Sequence, residues 1–150
     1  MDKEKKYYPL YKTTLHELSL LSTCCRLHVA AIIVDHGQIL MSSYNGVMPH
    51  QKHCSEIFND PENVNQGREM HHEFAINNEG HAEQNLIAQC ARKGISTDGK
   101  LLCVSYSPCV HCAKSIIMSG IYKVLYLAEY DRDDVGIRLL KKCGIIVEKF

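Results

Sequence analysis

His81 and Glu83 stand two residues apart, and Cys109 and Cys112 three apart, in a chain of 150 residues that carries eight Cys and nine His. These side chains can hold a metal and move a proton. Two thiolates and one imidazole give a zinc ion three protein ligands, and the fourth position stays open for water, as in catalytic sites. Glu83 is a poor fourth ligand and a good proton shuttle, because water on zinc has a pKa of about 7. Alone, Cys-x-x-Cys could be a structural zinc knuckle or a redox pair, and His-x-Glu carries little information. The two together, each at the start of a helix and with a strand before the Cys pair, form a specific signal.

The spacing decides what must position them. In mid-helix, residues 81 and 83 would diverge by roughly 200°. In a first turn both can reach a site lying off the helix end. Residues 81–93 read as that helix, stopped by Gly94. Residues 109–119 read as a second, opened by Pro108 and closed by Gly120. Its N-terminus favours anions and so favours thiolates, and both sulfurs face one way. His111 between them points elsewhere and takes a surface role.

The remaining elements follow from periodicity. Leu15, Leu18, Leu21 and Cys25 predict an amphipathic helix over residues 11–25. Residues 28–34 form a near-continuous apolar run, a buried strand. A turn at 35–38 leads to a second strand over 39–44. Strands are predicted at 101–106, 121–128 and 145–149, and a helix at 134–142. Residues 45–78 show no clear period and read as a long loop with at most short helices, pinned by their own His and Cys. Strands alternating with helices predict an α/β fold, a mixed sheet with helices on both faces. One helix between the last two strands makes them parallel. Cys90, Cys103 and Cys143 lie in apolar stretches and read as core residues.

Bulk composition narrows the function. The length suits a single domain over 1–150. Seventeen basic and seventeen acidic side chains cancel. A dedicated nucleic-acid binder usually shows a basic excess, so a small-molecule substrate is expected and no stable nucleic-acid partner. No apolar run reaches the roughly 20 residues of a bilayer span. The start, MDKEKKYYPLYK, lacks a signal peptide's apolar stretch, so a cytoplasmic protein is expected. In a reducing compartment this Cys and His content indicates metal binding rather than disulfides.

His-x-Glu with Pro-Cys-x-x-Cys is the signature of zinc-dependent nucleobase deaminases. Around it the chain resembles the cytidine deaminase-like superfamily, and within it the deoxycytidylate (dCMP) deaminases. The resemblance is carried by residues 24–33 (CCRLHVAAII), Tyr44-Asn45-Gly46, residues 79–85 (EGHAEQN), residues 107–114 (SPCVHCAK) and Gly144-Ile145-Ile146-Val147. It implies a three-layer α/β/α fold with a five-stranded mixed sheet, and Glu83-driven hydrolysis of dCMP to dUMP and ammonia. It also implies a homo-oligomer, a hexamer, with dCTP and dTTP as effectors and Mg2+ accompanying a bound triphosphate. Asn45 would contact the deoxyribose, the Ala82 amide the base carbonyl, and Tyr130 would lie over the nucleotide. Ser107 belongs with these substrate contacts. Arg132 and Arg26 are the candidates for the phosphate, since Arg grips it in a fork. The chain departs from the family pattern at Ser43, where Gly is usual, after the Tyr-Asn-Gly turn, where Val47-Met48-Pro49-His50 follows, and at Asp131, which separates Tyr130 from Arg132.

Some members of the superfamily hold a structural zinc through two Cys, one His and one Glu. Matching by position gives Cys24, Cys54, His71 and Glu79, with Cys25, His53 and His72 as adjacent competitors. A metal there would replace the core that residues 45–78 cannot build. Three other functions fit the same motifs less well: a cytidine or other base deaminase, a tRNA adenosine deaminase, and a zinc protein without turnover. The neutral charge opposes the second of these. The intact Glu83 opposes the third.

Overall fold

The computed structural model describes residues 3–58, 68–130 and 134–150. Helix α1 (Tyr8–Ser19) follows a short 3-10 turn at Lys5–Tyr7. Strands β1 (Ala30–Asp35) and β2 (Gln38–Tyr44) form a hairpin, and β3 (Gly46–Val47) is a two-residue extension. Helices α2 (Cys54–Ile57) and α3 (Arg68–Asn78) lead to β4 (Glu79–Gly80), which pairs with β3. Then come α4 (Ala82–Lys93), β5 (Leu101–Tyr106), α5 (Val110–Met118), β6 (Lys123–Ala128), α6 (Val135–Lys142) and β7 (Ile146–Lys149).

The main sheet has five strands in the order β2-β1-β5-β6-β7. The β1 strand pairs antiparallel with β2 and β5, whereas β5-β6 and β6-β7 are parallel, so the sheet is mixed as expected. The hairpin turns at His36 and Gly37, both with positive φ (45° and 86°), the backbone that a tight two-residue turn requires.

Alternate strand residues feed two separate cores, because successive side chains leave opposite faces of a strand. Ala31, Ile33, Leu102, Val104 and Val124 pack against Leu86 and Cys90 of α4, Ala113 and Ile116 of α5, and Leu140 of α6. Ala30, Ile32, Val34, Leu101, Cys103 and Leu125 pack against Tyr11 and Leu15 of α1. Three layers result, α1 on one face and α4, α5 and α6 on the other. Tyr11 and Leu15 are one helical turn apart and wholly buried; burial of the Leu15 side chain contributes about 2 kcal/mol. On the same face Lys123 is buried between Glu4 (2.8 Å) and Glu148 (3.3 Å), tying the N-terminal segment to β6 and β7.

Three expectations need correction. The first helix covers Tyr8–Ser19 rather than 11–25. Pro9 suits its first turn, and Leu20 and Leu21 are exposed rather than continuing an apolar stripe. Cys24 and Cys25 therefore sit in irregular chain. Within 45–78, α3 is an 11-residue helix. Its sequence, REMHHEFAINN, is polar nearly all round, so it offers no periodic apolar face to read. Cys143 is exposed at the end of α6, whereas Cys90 and Cys103 are core residues as expected.

Candidate metal and proton-transfer centre

His81 and Cys109 occupy equivalent places. Each is the extended residue immediately before a helix, α4 and α5 respectively. Such a residue points its side chain across the helix start, where backbone N–H groups lack partners. The two starts meet at one end of the sheet. His81 Nδ1 lies 3.5 Å from Cys109 Sγ and 3.3 Å from Cys112 Sγ, and the three donor atoms could share one metal ion. The Cys112 thiol donates to Glu83 Oε2 at 3.4 Å. The residue numbers thus predict the cluster, and the first-turn geometry makes His81 and Glu83 converge.

Burial and hydrogen bonding set the charges. Contact with Cys112 pulls the Cys109 thiol down to about 3 despite desolvation, and His81 assists. Cys112 is correspondingly driven up, first by its bond to Cys109 and then by burial. His81 is raised by its hydrogen bond to Cys109. Glu83 is buried, and desolvation raises it above the usual carboxylate range. A carboxylate moved toward neutrality is better matched to accepting and returning a proton. The donors fit zinc in number, type and mutual distance.

Further contacts hold α4 to β2 on either side of Glu83. Ser43 Oγ donates to the Ala82 carbonyl at 2.5 Å, and Asn85 Nδ2 donates to the carbonyls of Tyr44 (3.0 Å) and Gly80 (3.3 Å). Gly80 leaves no room for a Cβ beside Asn85 and Met48. Behind Cys109, Gly136 of α6 packs directly on the backbone of Pro108 and Cys109. Sequence reading gave Asn85 and Gly136 no role. An amide in the first turn of the motif helix and a glycine inside an apolar helix were the available signals.

The remaining expected site residues are placed as follows. Asn45 is buried, and both ends of its amide bind backbone: Oδ1 accepts from Val29 N–H (2.9 Å) and Nδ2 donates to the Leu27 carbonyl (2.8 Å). It staples residues 27–29 to the end of β2. Ala82 is buried at the first position of α4. Ser107 is buried, its Oγ accepts from Tyr130 N–H at 2.7 Å, and its own N–H donates to the Ala128 carbonyl. Arg26 is exposed, and its charge helps burial to lower His71. Arg132 lies outside the described residues.

A second donor cluster stands apart from the first. Cys24, Cys54, His71 and Glu79 bring four ligand atoms within 4.8 Å of one another. His71 Nε2 is 3.0 Å from Cys54 Sγ and 3.7 Å from Cys24 Sγ. Burial lowers His71, which favours the neutral imidazole a metal needs, and raises Cys24. Glu79 Oε1 is buried with no hydrogen-bond partner, an arrangement that is costly unless something positive meets it. Phe58 stacks edge-on against His71 and Phe74, closing a small core over the cluster.

The fold agrees with what comparison finds. The pattern of the cytidine and deoxycytidylate deaminase zinc-binding region matches residues 3–128, and the chain belongs to that zinc-dependent deaminase family. It is 35% identical over 134 residues to ComE operon protein 2 of Bacillus subtilis, covering 89% of this chain and 66% of that protein's length. It is 34% identical to the deoxycytidylate deaminase of Enterobacteria phage T4, over 84% of this chain and 80% of the phage protein. The crystal structure of the cyanophage S-TIM5 dCMP deaminase in complex with dCMP and dUMP superposes with a TM-score of 0.78 at 33% identity, covering 100% of this chain and 99% of the other.

Proposed function

We propose that the chain is a zinc-dependent deaminase of dCMP, releasing dUMP and ammonia. One observation carries the reading: a buried Glu83 carboxylate beside a three-donor His81, Cys109 and Cys112 cluster that leaves a metal ion an open position. The two similar phage enzymes named for dCMP support the substrate.

Bound there, zinc supplies the Lewis acidity that lets water attack at neutral pH. Glu83 accepts the proton of the attacking water and delivers it to ring N3 as C4 becomes tetrahedral; it then takes the proton of the new C4 hydroxyl and passes it to the departing amine as the C4 carbonyl forms. Its burial keeps that proton from bulk water. The Ala82 N–H stands in the first turn of α4, where backbone donors lack helical partners, and would meet the base carbonyl. Ser43 and Asn85 keep that turn against β2 while the proton moves. Asn45 and Ser107 order the two segments that flank the nucleotide, and Tyr130 covers it. The monophosphate needs a cation, because an unpaired dianion in a cleft is costly; Arg132, two residues after Tyr130 in sequence, is the proposed partner.

Cys24, Cys54, His71 and Glu79 are proposed to hold a second, structural zinc. Four protein donors and an unpartnered buried carboxylate oxygen support a closed site with no place for substrate.

Ammonia release from cytidine, deoxycytidine, CMP and dCMP tests the substrate. We expect kcat/KM for dCMP to exceed that for deoxycytidine by at least about 30-fold, the factor that ~2 kcal/mol of charge-assisted contact represents. Equal values would remove the monophosphate assignment and favour a nucleoside deaminase.

A further inference from the structure

Cys25 belongs to neither donor cluster, yet it touches one. Its Sγ lies 2.9 Å from Cys54 Sγ, and its backbone N–H donates to the same sulfur at 3.3 Å. Cys24 and Cys54 are buried, whereas Cys25 is partly exposed. Cys54 is thus shared: one side faces Cys24, His71 and Glu79, and the other faces a thiol open to solvent.

We infer that Cys25 and Cys54 form an oxidisable dithiol whose substrate is a hydroperoxide. A bonded disulfide has sulfurs about 2.05 Å apart. The two sulfurs here need to close by roughly 0.9 Å, a shift within reach of rotating the Cys25 side chain, which stands in irregular chain. A cysteine that merely packs against the small Cys24, Cys54 and Phe58 core would not need to reach the solvent or meet a second sulfur.

The chemistry balances in two steps. The Cys25 sulfur attacks one peroxide oxygen, the O–O bond breaks, and the thiol proton leaves with the other oxygen as water or alcohol. Cys25 is then a sulfenic acid. The Cys54 sulfur attacks the Cys25 sulfur, the S–O bond breaks, and the hydroxyl departs as water, taking the Cys54 proton where Cys54 is a free thiol and a solvent proton where it is a metal-bound thiolate. Two thiols are oxidised by two electrons, and one peroxide is reduced.

Oxidation removes the Cys54 thiolate from the four-donor cluster. That consequence rests on the second-zinc reading, whereas the dithiol does not. The effect reaches the other centre through Glu79, which shares the cluster with Cys54 and stands in β4 two residues before His81.

The test treats the metal-loaded protein with hydrogen peroxide and reads two quantities. Peptide mapping without reduction should find a Cys25–Cys54 link, reversed by a thiol reductant. A chromogenic chelator should record release of about one zinc equivalent with it. Cys25→Ser and Cys25→Ala should keep their zinc at the start and release it at least about tenfold more slowly at the same peroxide dose. Release at the unmodified rate in both variants, or a link confined to Cys109 and Cys112, overturns the inference. A Cys25–Cys54 link in protein holding one zinc from the outset supports the dithiol and removes the second-zinc reading alone.

Discussion

The two cysteine and histidine clusters use similar donors and are built in opposite ways. His81, Cys109 and Cys112 sit at two helix starts backed by the main sheet, with Gly136 of α6 packed behind Cys109. Regular structure places them whether or not a metal is present. Cys24, Cys54, His71 and Glu79 come from irregular chain, a one-turn helix, a polar helix and a two-residue strand. Among the described residues, Phe58 and Phe74 supply the apolar packing around these pieces. The first cluster offers three donors with a carboxylate, Glu83, beside them, and the second offers four donors. Three donors with a proton shuttle suit chemistry, and four suit fastening.

That contrast can be broken in order of effect. Cys109→Ser should drop turnover to assay background and remove one zinc equivalent, with the thermal midpoint nearly unchanged because the sheet and helices hold the site. A large fall in the midpoint would place the first cluster among the structural sites. Cys54→Ser should do the reverse. We expect loss of the other zinc equivalent, a midpoint lower by several degrees, and proteolytic cutting within residues 45–80, with the first zinc retained. Metal analysis and limited proteolysis check both halves. A zinc count of one that Cys54→Ser leaves unchanged would abolish the second site. Gly136→Ala is the mildest break. The added methyl meets the Pro108 and Cys109 backbone, and such overpacking costs about 1–3 kcal/mol. Denaturant unfolding should show that loss together with a weaker hold on the first zinc alone.

Legibility followed the same contrast. The strands at 101–106 and 123–128 and the helices at 82–93 and 110–118 were readable because apolar periodicity, Pro108, Gly94 and Gly120 mark them. The catalytic candidates come with them, since His81 and Cys109 stand at those helix starts. The helix at 68–78 was hidden because its stability comes from Phe74 and His71 meeting Phe58, not from an apolar stripe. The reading of Cys25 as a helical apolar position failed for a related reason. A helix that stops at Ser19 frees it to approach Cys54, a contact 29 residues away that local pattern does not encode. Asn45 was visible as a polar residue in a turn, but its two backbone partners, Leu27 and Val29, emerge only from the fold.

The account depends most on Glu83 as the group that moves the proton. Glu83→Gln keeps the shape and its acceptor oxygen and removes the titratable group. Turnover on dCMP and zinc content should be measured on the same preparation. The account predicts a fall in kcat of at least about 10²-fold, the usual scale of general acid–base catalysis, with the zinc content unchanged. Near-normal turnover in zinc-loaded Glu83→Gln would contradict it.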